Sequence, residues 1–195
     1  MRFFIANNAE ALQGLDLDAT VEAEFGDDCV EGRLATLAHH GPRSDNPAPC
    51  VWEEEIPDGV ERVGISHVDL DTIGGARRLL GNSPSPNSIN KLFWHVAARV
   101  DVEGPHRLEE ILRWAHSKIP FDCGAVELYG EVDEQQATGV LDCARDDAVH
   151  WIRNALFAYW AFSKENRVFP PRDGSVMDVT EEVMAHVKAV QAILD

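Results

Sequence analysis

At 195 residues with 45 % hydrophobic content, the chain has the size and apolar fraction of one globular domain with a full core. Thirty-four acidic against 17 basic side chains leave a net charge of −17, which excludes the basic footprint that nucleic-acid binding needs. No apolar run approaches the ~20 residues of a membrane helix, and the start turns polar at Asn7 and Asn8, so a cytoplasmic protein without a membrane partner is expected.

The charge is uneven: residues 1–75 carry 16 acidic and 4 basic side chains, the remaining 120 carry 18 and 13. Cys29, Cys50, Cys123 and Cys143 are widely spread with no C-x-x-C pair, so they read as thiols rather than as a zinc ribbon or a disulfide framework.

In chain order, residues 2–6 form a short strand candidate. Residues 20–26 alternate apolar and acidic side chains and predict a half-exposed strand, a pattern that residues 31–38 continue. A Gly- and Pro-rich loop follows over 39–50, then a strand over 60–66. Beyond residue 71 the period changes. A short helix is expected over 72–80, stopped by Gly81, and a second from Ser85 with Ile89, Leu92, Phe93, Val96 and Val100 on one side. A third opens at Gly104-Pro105 and runs to His116, with Glu109 and Glu110 near its positive end. The strongest amphipathic pattern covers 142–163, with Trp151, Ile152, Ala155, Leu156, Tyr159 and Trp160 at i, i+3, i+4 spacing. Residues 168–175 read as a linker to a last helix over 178–194 capped by Asp178. This order predicts a single α/β domain (α+β being the alternative), strand-rich over 1–71 and mainly helical over 72–195.

Five of the eight histidines fall between residues 39 and 106, each beside a loop, a glycine or a carboxylate. His39 and His40 end one strand candidate; His67, Asp69 and Asp71 end the next. On a strand, alternate residues share a face, so His67, Asp69 and Asp71 are expected to point into one cavity. Imidazole and carboxylate are the ligand set of zinc, manganese or iron, with magnesium suited where carboxylates dominate. His39, His40, His67, Asp69, Asp71 and His95 are therefore the candidate metal ligands. Asp101 is a further ligand or orients one, and His106 is the candidate general acid. Gly74 and Gly75 are expected to open a helix start to an anion such as phosphate.

The segment from His67 to Ala76 resembles the metal-binding segment of the DHH phosphoesterase superfamily. Ala38-His39-His40-Gly41 resembles that superfamily's namesake segment, with Ala38 at the aspartate position and the two segments in reversed order. The resemblance implies a two-metal site, commonly manganese, that hydrolyses phosphoester or phosphoanhydride bonds. The expected function is a metal-dependent hydrolase acting through metal-activated water on a small, phosphorylated substrate. The competing reading is a non-catalytic acidic interaction domain, whose 142–163 helix supplies a homodimer face through Trp151, Tyr159 and Trp160.

Overall fold

A computed structural model describes residues 1–26, 28–82, 89–118 and 145–195. The N-terminal part holds β1 (Arg2–Ile5), α1 (Ala9–Gln13), β2 (Ala19–Val21), the short strands β3 (Glu24–Phe25) and β4 (Asp28–Cys29), β5 (Ala35–Leu37) and β6 (Arg62–Ile65). There follow α2 (Leu70–Leu79), α3 (Ile89–Glu103), α4 (Leu108–Lys118), α5 (Arg145–Glu165), β7 (Met177–Asp178) and α6 (Thr180–Leu194).

The alternation of β1 sets the layers. Phe3 and Ile5 enter the main core, while Phe4 joins a smaller core with Leu12 of α1 and Leu17. Ala19, Val21, Val63 and Ile65 repeat the inward pattern on the neighbouring strands. Each fully buried Ile, Leu or Phe contributes roughly 1.5–3 kcal/mol relative to exposure. Helices α2, α3, α5 and α6 supply residues to the main core, and α1 closes the other face of the sheet.

The sheet runs β5-β2-β6-β1-β7, with parallel pairing throughout except for the antiparallel edge strand β7. The fold is thus α/β. In such sheets ligands bind outside the carboxyl ends of the strands. Here Val21 pairs with both Leu37 and Ile65, so three adjacent strands finish level with one another. The residues just after them, Glu22, Ala38-His39 and Ser66-His67, crowd one edge.

Several predicted elements shift. The span 20–26 is not one half-exposed strand: Thr20, Val21, Glu22 and Ala23 are all buried, and the chain turns at Glu22 before β3. Of 31–38 only Ala35–Leu37 is strand. His67, Asp69 and Asp71 do not share a strand face, because β6 stops at Ile65, Asp69 caps α2 and Asp71 lies in its first turn. Asp178 belongs to β7 instead of capping α6, although its carboxylate accepts from the Thr180 N–H at 3.0 Å. The expected helix starts at Ser85 and at residues 142–144 lie outside the described residues, as do Cys123 and Cys143. On α5, Trp151 packs edge-on to Phe93 and Tyr159 is buried, which leaves Phe157 and Trp160 as an outward pair. No helix among the described residues is long and apolar enough to cross a membrane.

Candidate metal centre

The site is assembled from four separate pieces of chain. Glu22 follows β2 and is the one described non-glycine residue with positive φ, at 47°. That left-handed backbone costs a side-chain-bearing residue roughly 1–2 kcal/mol. It is held by the Glu22 N–H donating to the Leu37 carbonyl at 2.8 Å and by the Ser66 hydroxyl donating to the Glu22 carbonyl. The turn places the Glu22 side chain inside the protein, 1 % exposed.

His39 and His40 follow β5. The Asn46 amide donates to the Ala38 carbonyl at 3.0 Å, and the His40 N–H donates to the Glu24 carboxylate at 2.8 Å, so the His-His turn is pinned on both sides. The two rings lie 4.0 Å apart, His39 buried and His40 half exposed.

Asp71 reaches the same point from α2. One of its oxygens accepts from the Cys50 N–H at 3.1 Å, which leaves Oδ2 turned toward His39. The position of α2 depends on Gly74 and Gly75, which lie inside the helix and not at its start. A Cβ on Gly74 would stand 2.6 Å from the Cys50 Cα, and one on Gly75 would stand 2.7 Å from Val21 Cγ1. These glycines therefore seat α2 against the turn at Pro49–Val51 and against β2. The start of α2 is capped instead by Asp69, whose Oδ1 accepts from the Thr72 N–H at 2.8 Å.

Asp101 arrives from the last turn of α3. A carboxylate there faces the negative end of the helix dipole, and that turn contains no basic residue. Its Oδ2 is 3.2 Å from Nε2 of both His39 and His40.

His39 Nε2 is the centre of the group, 2.9 Å from Asp71 Oδ2, 3.2 Å from Asp101 Oδ2 and 3.3 Å from Glu22 Oε1. Yet His39 Nε2, Asp71 Oδ2 and Glu22 Oε1 are buried with no hydrogen-bond partner, because the N–H and lone-pair directions do not align. An unsatisfied buried polar atom costs about 1–3 kcal/mol, so three of them together are costly. Ligand atoms about 2.1 Å from a divalent cation lie roughly 3.0–3.4 Å from one another in tetrahedral or octahedral shells. His39 Nε2 lies 2.9–3.3 Å from each of the three carboxylate oxygens. The atoms that fall within 4.8 Å of one another form two groups, Glu22 with His39 and His40, and His39 with Asp71 and Asp101. The second, one imidazole and two carboxylates, is a donor set suited to manganese, zinc, iron or magnesium.

Electrostatics points the same way. Burial and the Asp71 carboxylate push the Glu22 carboxyl up to about 9, against the pull of His39. Burial opposes charge on His39, but Asp101, Asp71 and Glu22 overcome it and raise the imidazole to about 10. The cluster thus concentrates carboxylates around one imidazole, an arrangement in which a cation of higher charge would serve several oxygens at once.

The other candidate residues are spread around this centre. His67 is half exposed, its Nδ1 2.8 Å from Ser66 Oγ and its Nε2 3.2 Å from Asp69 Oδ2. Burial works against a charged His67 and the Asp69 contact outweighs it, raising its pKa. His95 lies almost two turns before Asp101 on α3, where burial and Lys91 lower its pKa, with Glu53 as its acidic neighbour. His106 is exposed in the short turn at Pro105–Arg107. The structure therefore brings together His39, His40, Asp71 and Asp101, keeps His67 and Asp69 at their side, and leaves His95 and His106 apart. It adds Glu22, which the acidic alternation of its strand disguised as a solvent-facing residue.

Beside the cluster is a cavity of about 340 Å³ lined by Asp69, Asp71 and Asp101 together with Val100, Leu156 and Trp160 among others. No lysine or arginine is among the described residues that line it. Comparison of the chain with protein-family models, with curated proteins and with solved structures finds no match.

Proposed function

We propose that this protein is a cytoplasmic, metal-dependent hydrolase of phosphoester or phosphoanhydride bonds in a small molecule. The observation that carries this reading is the triad of buried, unpartnered ligand atoms: His39 Nε2, Glu22 Oε1 and Asp71 Oδ2. Glu22 and His39 follow the carboxyl ends of parallel strands and Asp71 lines the neighbouring cavity, which supports a working site over a purely structural one. Free thiols at Cys29 and Cys50 accord with a reducing compartment.

His39, Asp71 and Asp101 would hold the cation, manganese or zinc by preference. When bound, it supplies a water of lowered pKa and positive charge for the developing phosphoryl oxygens. The rest falls to the chain. With no basic side chain among the described residues that line the cavity, its carboxylates repel an anionic substrate until the cation is in place. Asp69 fixes the start of α2 and so the aim of Asp71. His67, half exposed beside the cluster, is placed to hold or release a proton at Nε2. The resemblance to DHH phosphoesterases favours phosphorus chemistry over other hydrolyses. The histidine pair and the His67–Asp71 segment, distant in sequence, stand at one sheet edge.

The test is elemental analysis of protein dialysed against manganese or zinc, followed by a screen of generic phosphatase and phosphodiesterase substrates. Stoichiometric metal, lost in His39→Gln, together with chelator-sensitive hydrolysis is the expected result. Protein that binds neither metal and ignores EDTA would end this reading.

A further inference from the structure

The walls of the cavity beside the cluster combine three carboxylates, Asp69, Asp71 and Asp101, with the largely apolar side chains of Leu70, Ala97, Val100, Pro105, Leu156 and Trp160, around about 340 Å³. That volume is at the lower end for small-molecule pockets. Leu156 is fully buried, and Trp160 is partly exposed, held by an edge-to-face contact with Phe157 at 5.4 Å between ring centres. Among the described lining residues the polar groups are the three carboxylates and the Trp160 indole N–H, and the other five side chains are apolar. A sugar would press several hydroxyls against those apolar walls, which disfavours binding. A flat apolar ring would bury its area against Val100 and Leu156 and meet an indole with which aromatic rings pack well.

We infer that this cavity selects an aromatic group attached to the phosphoryl centre, so that the preferred ligands are aryl or arylalkyl phosphates rather than sugar phosphates. The inference rests on the metal-dependent reading above and assigns Trp160 as its specificity-determining residue. The carboxylates, once they carry their cation, receive the phosphoryl oxygens, and the apolar walls receive the ring.

Binding can be measured without turnover. Benzylphosphonate and methylphosphonate carry the same headgroup and no ester bond to hydrolyse, so calorimetric titration of manganese-loaded protein compares the ring alone. Benzylphosphonate is expected to bind on the order of 10- to 30-fold tighter, the effect of burying one phenyl ring. Trp160→Ala should shrink that ratio to about threefold or less with manganese affinity unchanged, and Trp160→Phe should recover most of it. 2-Hydroxyethylphosphonate should bind no better than methylphosphonate. Equal binding of the benzyl and methyl compounds to manganese-loaded protein overturns this inference and leaves the metal site standing, as does a ratio that Trp160→Ala does not change. Failure of manganese to bind at all overturns both.

Discussion

His39 and His186 are both buried, at 6 % and 1 % exposure, yet their surroundings drive their imidazoles in opposite directions. His186 sits on α6 with both ring nitrogens engaged: Nδ1 lies 3.0 Å from the Tyr159 hydroxyl, and Nε2 lies 2.9 Å from the Asn166 carbonyl. Nε2 donates to that carbonyl and Nδ1 accepts from the hydroxyl, so the neutral tautomer is fully satisfied and burial lowers the pKa. His39 has three carboxylates around one nitrogen and satisfies none of them by direction. The first arrangement is complete within the chain. The second is not. Burial alone does not mark a functional histidine; the mismatch between what surrounds it and what it can bond does.

That contrast can be broken or sharpened by experiment. The largest expected effect is from Gly74→Ala, whose new methyl would meet the Cys50 backbone. A destabilisation of about 3 kcal/mol or more is expected in urea unfolding, from overpacking against backbone that cannot yield. Because α2 carries Asp71, manganese affinity should fall with it.

Next is Asp71→Asn, which removes one charge of the cluster and keeps the shape. Manganese affinity should drop at least ~100-fold, close to 2.7 kcal/mol. The melting temperature of the metal-free variant should fall modestly at neutral pH, since Asp71 is one of the carboxylates that favour the charged His39 imidazole. With manganese at about 100 times its dissociation constant, the unaltered chain should gain roughly 5–10 °C and the variant nothing. A metal-induced shift that survives Asp71→Asn would dissolve the contrast.

Tyr159→Phe strikes the other network and should cost about 1–2 kcal/mol of stability by leaving His186 Nδ1 unpaired, with manganese affinity unchanged. The smallest effect is in the pH dependence of the metal-free protein. The His186 pKa is lowered in the fold, so the unfolded chain takes up its proton first and stability falls as pH drops below about 6.5. His39 is raised to about 10, so its contribution is complete below about 6.5 and is lost as pH climbs toward 10, with Glu22 acting in the same direction up to about 9. Denaturation curves across pH should show both arms. His186→Gln should flatten the acid arm and Asp71→Asn the alkaline one.

The candidate residues were legible in part because histidine and aspartate are rare enough at element ends to stand out. His39, His40, Asp71 and Asp101 announce themselves by chemistry. What local pattern cannot supply is strand order. β2 and β5 are neighbours, but β5 and β6, consecutive among the sheet strands, are separated by β2. Only that order reveals that residues following Val21, Leu37 and Ile65 meet, and therefore that Glu22 belongs with His39. Glu22 also hides in an alternating acidic run that imitates a wet strand face, whereas here the strand is internal. The mistaken strand placement of His67, Asp69 and Asp71 has a related cause, since a period of two ending at a glycine pair fits a strand until Asp69 is recognised as an N-cap. The glycine pair carried a true signal of close approach, but its partner was the Cys50 turn rather than a ligand.

The edge strand β7 joins distant parts of the chain. It pairs Phe4 with Asp178, the Arg2 side chain bonds the Asp178 carboxylate, and the Phe3 N–H donates to the Thr180 hydroxyl at 3.0 Å. Until some 170 residues more have left the ribosome, the outer edge of β1 has no partner and presents open hydrogen-bonding groups beside Phe3 and Ile5. Every cluster residue (Glu22, His39, Asp71 and Asp101) has emerged well before then. A cation captured early would therefore act as a temporary clamp on a half-built sheet, tying β2, β5 and α2 together during the interval when the nascent chain is most exposed to edge-to-edge aggregation.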